Sequence, residues 1–205
     1  MNSSSQLRML VFASLLAALM TAGAYISIPL GPVPIVLQNM FVFLAGLLLG
    51  SRWGLASVGV YLLAGACGLP VFAGGMGGIG RIVGPTGGYL IGYLPAVFIV
   101  GYISGKGAAR ISIDFIAMIC GTIVLYACGV TWLKTLTGMP WSKALAVGMY
   151  PFLIGDAIKI VAAAAIARGL RPILRVTGYE LRVKLRPNSK HATCNAQPTT
   201  RNTKI

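Results

Sequence analysis

Long apolar runs dominate the chain, and the charged positions fall mostly between them. Reading the runs against charges and Gly/Pro breaks gives six, at about 7–28, 35–50, 54–68, 86–104, 110–133 and 145–167. A helix needs roughly 20 apolar residues to cross about 30 Å of hydrocarbon, somewhat fewer inside a bundle. The second and third runs are short, and one re-entrant hairpin there is the alternative to two crossings. The pattern predicts an all-α membrane protein with six transmembrane helices. From Val176 the chain turns polar and basic with no apolar period, which predicts a membrane domain over 1–175 and a disordered tail over 176–205.

The breaks between runs are as informative as the runs. Ile28–Pro34 holds three prolines in seven residues, so it is a stiff extended turn and ends the first helix. Gly68–Leu90 holds nine glycines in 23 residues, with Arg81 as its one charge. Its backbone has wide latitude and little intrinsic order. It is expected to form part of a lid over a small-molecule site, on the same face as the proline turn. Gln38 and Asn39 stand near the mouth of the second run, either solvated or bonded to a ligand. Thr86 is placed to cap the fourth helix, whose first amides would favour an anion. On the first run, Ala13 and Ala17 are four apart, as are Ala18 and Ala22. Such a stripe lets another helix approach closely, inside the bundle or from an external partner.

Composition excludes the soluble class: 57% of residues are hydrophobic and only 10% charged, with mean hydropathy +0.83, against about 25% charged in soluble domains. The first run is too long for a signal-peptide core and further spans follow it, so it reads as a retained helix. The net charge of +14 would suggest nucleic acid if it were evenly spread. Six spans instead put thirteen of the seventeen basic residues on one side, including Arg52, Lys106 and Arg110 in short connections, and only Arg81, Lys134 and Lys143 on the other. The positive-inside rule places both termini in the cytoplasm. The basic residues then record topology and contact with the lipid bilayer, and no nucleic-acid partner is expected.

Only three acids occur, Asp114, Asp156 and Glu180. Asp114 reads as an interfacial partner of Arg110 with little function. Asp156 lies inside the last run with Lys159 three residues on, on one helix face. A charge in hydrocarbon costs roughly 3–10 kcal/mol, so it must face protein, water or a ligand. The two groups are either a mutually satisfied structural pair or an acceptor and donor offered to a polar ligand. Pro151 and Gly155 loosen the same turn and favour the second reading.

Gly75–Gly80 matches GxGxxG literally, but a membrane span precedes it and no acid follows before Asp114, so the dinucleotide reading fails. The four cysteines show no metal-ligand or CxxC spacing and read as packing residues. No nucleophile–base set or paired carboxylates appears. An enzyme, a metal site and a resident cofactor are not expected.

Five motifs in order, Gly31-Pro-Val-Pro-Ile-Val-Leu-Gln38, Leu44–Gly50, Gly68-Leu-Pro-Val-Phe-Ala-Gly-Gly75, Gly84-Pro-Thr-Gly-Gly-Tyr-Leu90 and Gly155-Asp-Ala-Ile-Lys159, resemble the BioY family. This is the biotin-specific S component of energy-coupling factor transporters. The resemblance covers about residues 7–172 and implies a six-helix S-component fold in a bacterial cell membrane, with biotin held near the outer face beneath loops. It further implies a transmembrane coupling subunit docked on the Ala13/Ala17 stripe, and ATPase subunits on other chains. Asp156 and Lys159 match the family's Asp and Lys on the last helix. The biotin-binding set expected here is Asp156, Lys159, Gln38, Phe72, Gly74, Gly75, Arg81, Thr86 and Tyr89. The biotin carboxylate would meet Arg81 or the amides near Thr86, with Lys159 as a competing choice.

Overall fold

The computed structural model describes residues 3–28, 33–106 and 110–184, with side chains over 6–28, 33–106 and 110–172. The described residues are mostly helical. Helix α1 (Ser3–Tyr25) leads into a two-residue strand β1 (Ser27–Ile28), which pairs antiparallel with β2 (Ile35–Val36) across the proline turn. Then come α2 (Gln38–Ala66), the short α3 (Ile79–Val83), α4 (Gly87–Lys106), α5 (Ile111–Thr137), α6 (Trp141–Gly148) and α7 (Tyr150–Lys184). Among the described residues, five helices are long and apolar enough to cross a membrane.

Helix α2 contains both the second and the third apolar run. It is broken at Gly50, whose φ of 76° and ψ of −175° are non-helical. Nine residues of straight helix separate their ends by about 13.5 Å, yet a Cβ on Gly54 would lie 3.3 Å from the Ala45 carbonyl oxygen. Gly46 and Gly54 both pack on Val97 of α4. The chain therefore reverses at Gly50, and α2 is a helical hairpin with almost no loop. Positive φ is what makes glycine the fitting residue at that reversal.

The structure has five candidate spans where six apolar runs were expected, because two of the runs share one broken helix. The sixth run also differs from expectation. It is interrupted at Met149 (φ −132°, ψ −55°), which ends α6 before α7 begins. Residues up to Arg171 form one compact unit. In the second unit, from Pro172, backbone helix continues to Lys184, so the onset of polarity at Val176 does not end the helix. The rest of the expected tail, 185–205, lies outside the described residues.

Helix α1 presents Ala13, Leu16, Ala17, Met20 and Ala24 to the core, and the Ala13 carbonyl accepts a 2.7 Å hydrogen bond from Ser57. Ala13 and Ala17, the expected docking stripe, are buried in this structure, because the i, i+3, i+4 apolar positions turn that face inward. The open face of α1 carries Ser14, Ala18 and Ala22.

Asp114 also differs from its expected role. Its partner is Arg171 rather than the neighbouring Arg110, and the carboxylate is 3% exposed. Arg171 donates to both carboxylate oxygens, to Ser104 Oγ at 2.8 Å and to the Leu47 carbonyl at 3.2 Å. One guanidinium thereby ties α2, α4, α5 and α7 together at one end of the bundle.

Candidate ligand-binding site

The Gly-rich segment is more ordered than its composition predicts. Phe72 and Met76 pair across a tight turn in which Gly74 has φ 75°, the left-handed position that a type II turn reserves for glycine. Tyr25 and Tyr61 donate to the carbonyls of Pro70 and Val71, and Trp132 Nε1 donates to that of Gly84. The segment is therefore anchored at both ends. Phe72 meets Tyr61 edge-on at 5.6 Å. It also lies against Gly65, where a Cβ would come within 2.0 Å of the ring.

This anchoring aims Phe72 and Ala73 into a cavity. Val33 and Pro34 of the proline turn and Val36 of β2 line it, together with Arg81 and Thr86. Gln38 and Asn39 from the start of α2, Tyr89, Leu90 and Tyr93 of α4, Tyr126 of α5 and Phe152 of α7 complete the walls. Two special loops on one face do make one structure, as their sequences suggest.

The polar groups of the cavity are sparse and mostly committed. Tyr93 donates to Asn39 Oδ1 at 2.6 Å, and Tyr89 donates to the Gly148 carbonyl at 2.7 Å. Gln38 is 2% exposed, with its side chain close to the Tyr61 hydroxyl, and by distance and angle its Nε2 makes no hydrogen bond among the described residues. A buried donor left unmade costs about 1–3 kcal/mol, so a ligand acceptor there would recover that loss. The Arg81 guanidinium also has no hydrogen bond or ion pair among the described residues.

Of the expected set, Gln38, Phe72, Arg81, Thr86 and Tyr89 line the cavity. Thr86 does not cap α4: its hydroxyl points back to the Arg81 carbonyl at 3.4 Å. The amides of Gly87 and Tyr89 are bonded to the carbonyls of Gly84 and Thr86, which weakens that turn as an anion site and leaves Arg81. Gly74 and Gly75 shape the Phe72 turn without lining the cavity.

Asp156 and Lys159 are buried together, 2% and 7% exposed, with Nζ donating to Oδ1 at 2.9 Å. The other carboxylate oxygen accepts from Tyr126. Neither charge lines the cavity directly; Tyr126 stands between it and Asp156. Tyr93, Tyr126 and Phe152 were not legible as site residues, because an aromatic inside an apolar run has the same signature whether it packs or binds. The i, i+4 spacing of Tyr89 and Tyr93 was the one available signal.

Known proteins share this architecture. The sequence profile of the BioY family matches residues 1–176. The chain is 43% identical over 158 residues to a probable biotin transporter BioY of Pyrococcus horikoshii, covering 77% of this chain and 93% of that one. It is 42% identical over 167 residues to the biotin transporter BioY of Thermotoga maritima, covering 82% and 98%. Among solved structures, the S-component for biotin from an ECF-type ABC transporter superimposes with a TM-score of 0.79 at 33% identity, over 84% of this chain and 95% of that one.

Proposed function

The chain belongs to the BioY family, and from that premise we propose that it takes up biotin as the substrate-binding S component of an energy-coupling factor transporter. It is a transport protein and not an enzyme. The observation that carries the reading is the cavity itself: apolar walls, a buried amide donor at Gln38 and a cation at Arg81, neither hydrogen-bonded nor ion-paired among the described residues.

Biotin complements each of these. Its thiophane ring and valeryl chain suit Phe72, Leu90 and Phe152. Its ureido ring has two N–H donors and one carbonyl acceptor, to be met by Gln38, Asn39 and the Tyr126–Asp156–Lys159 chain. Its carboxylate goes to Arg81, since Lys159 is already held by Asp156. We place the ureido end inward and the carboxylate at the rim.

In this reading the two arms of α2 count separately, giving six crossings, and the basic connections put both termini in the cytoplasm of a bacterial cell. The cavity then opens outward. ATPase subunits on other chains supply energy through a transmembrane coupling subunit, which docks on the open Ser14/Ala18/Ala22 face of α1 rather than on Ala13 and Ala17. Isothermal titration of the purified protein with biotin tests the central point. Saturable binding at or below micromolar concentration is expected, and its absence would sink the proposal.

A further inference from the structure

A second cavity lies on the other side of Tyr126, between α5 and the α6–α7 segment. It opens sideways: Ile123, Trp141 and Leu153 on its walls are 62%, 51% and 46% exposed. Its few polar atoms are largely spoken for. Thr122 donates to the Met118 carbonyl at 2.8 Å, and Tyr126 and Asp156 bond to each other. A groove of this kind offers water little, whereas a hydrocarbon chain gains contact along its whole length.

The mouth is cationic. Lys134 Nζ sits 4.4 Å above the ring of Trp141, which lines the groove. Lys143 is exposed on α6. Of the acids with described side chains, Asp114 is held by Arg171 and Asp156 by Lys159, so neither lysine has a carboxylate partner among the described residues. Trp and Lys together mark the level of lipid headgroups.

We propose that this groove holds one acyl chain of an anionic glycerophospholipid, with the phosphate against Lys134 and the chain running past Leu145 and Ala157 to Tyr126. The site is separate from the biotin cavity but shares the Tyr126 wall with it. It therefore stands whether or not biotin is the cargo.

Native mass spectrometry of the detergent-purified chain, offered equal phosphatidylglycerol and phosphatidylcholine, tests this. The wild type should retain one phosphatidylglycerol in preference to phosphatidylcholine by about fivefold, the effect of one lysine near an anionic headgroup. Lys134→Ala should abolish the preference and keep some binding of either lipid. Ala157→Phe, or Ala127→Phe on the facing wall, should fill the groove and remove the bound lipid while the thermal transition remains. Equal retention of both lipids by the wild type would overturn the headgroup assignment. Lipid binding untouched by both groove-filling variants would overturn the groove. A lipid-free dimer that Ala157→Phe disrupts would give this face to a second copy instead.

Discussion

The hydroxyl of Tyr126 donates to one carboxylate oxygen of Asp156 while Lys159 holds the other, so the buried acid meets the ligand cavity only through a tyrosine. A carboxylate with both oxygens engaged is fixed in position. Tyr126 thus stands as the one side chain that both lines the cavity and bonds the acid, among the described residues.

Tyr126→Phe removes the hydroxyl and keeps the ring. Because the aromatic wall persists, the protein should fold normally and lose biotin affinity by about 1 kcal/mol, the net worth of one hydrogen bond. Calorimetric titration checks this. An unchanged affinity would mean that the hydroxyl serves packing alone.

For Arg81 the ligand can be altered as well as the protein. Arg81→Ala should weaken biotin by roughly 1.5–3 kcal/mol, the range for hydrogen bonds to charged groups. Biotin amide, which lacks the carboxylate charge, should bind the wild type and the variant nearly equally. An equal loss for both ligands would move the carboxylate elsewhere.

The Asp156–Lys159 pair requires a double variant. Removing one partner of a buried ion pair costs about 3–5 kcal/mol, whereas replacing both by apolar groups is often neutral. Asp156→Leu with Lys159→Met should therefore melt near the wild-type temperature, above either single variant, yet lose biotin affinity by about 1 kcal/mol, as Tyr126→Phe does, because the pair reaches the cavity through that hydroxyl. Unchanged affinity in the double variant would make the pair structural only.

Arg171 is the test of a role remote from the ligand. Its guanidinium joins four helices through Asp114, Ser104 and the Leu47 carbonyl, and Arg171→Ala leaves the buried Asp114 carboxylate without its cation, held by the Ser104 hydroxyl at 2.7 Å. The melting temperature should fall by several degrees, while biotin affinity in the folded fraction stays within about twofold. A large loss of affinity at unchanged melting temperature would instead connect this end of the bundle to the cavity.

How far the sequence could be read depends on the range of the physics involved. The Asp156/Lys159 pair was legible because an intramembrane charge is expensive and its partner lies one turn away. Asp114 was misassigned for the converse reason: Arg110 is near in sequence, but Arg171, 57 residues on, becomes its neighbour only when the helices pack. The Gly-rich segment reads as loose by composition, yet Tyr25, Tyr61 and Trp132 tether it from other elements. Ala13 and Ala17 had two open readings, and only the direction of the α1 face decides between them. The reversal at Gly50 was foreshadowed by two short apolar runs, which carry no information on the geometry of the break.

That reversal has a consequence for the surrounding lipid. At 1.5 Å per residue the arms Gln38–Leu49 and Ser51–Ala66 rise only about 18 Å and about 24 Å, against some 30 Å of bilayer hydrocarbon. With six crossings, as proposed above, the membrane beside this hairpin dimples to meet the protein, at a fraction of a kcal/mol per Å of mismatch. The same six-crossing reading matches the chain to thin bilayers and brings the cavity at the hairpin's open end closer to bulk water than the length of its neighbouring helices implies.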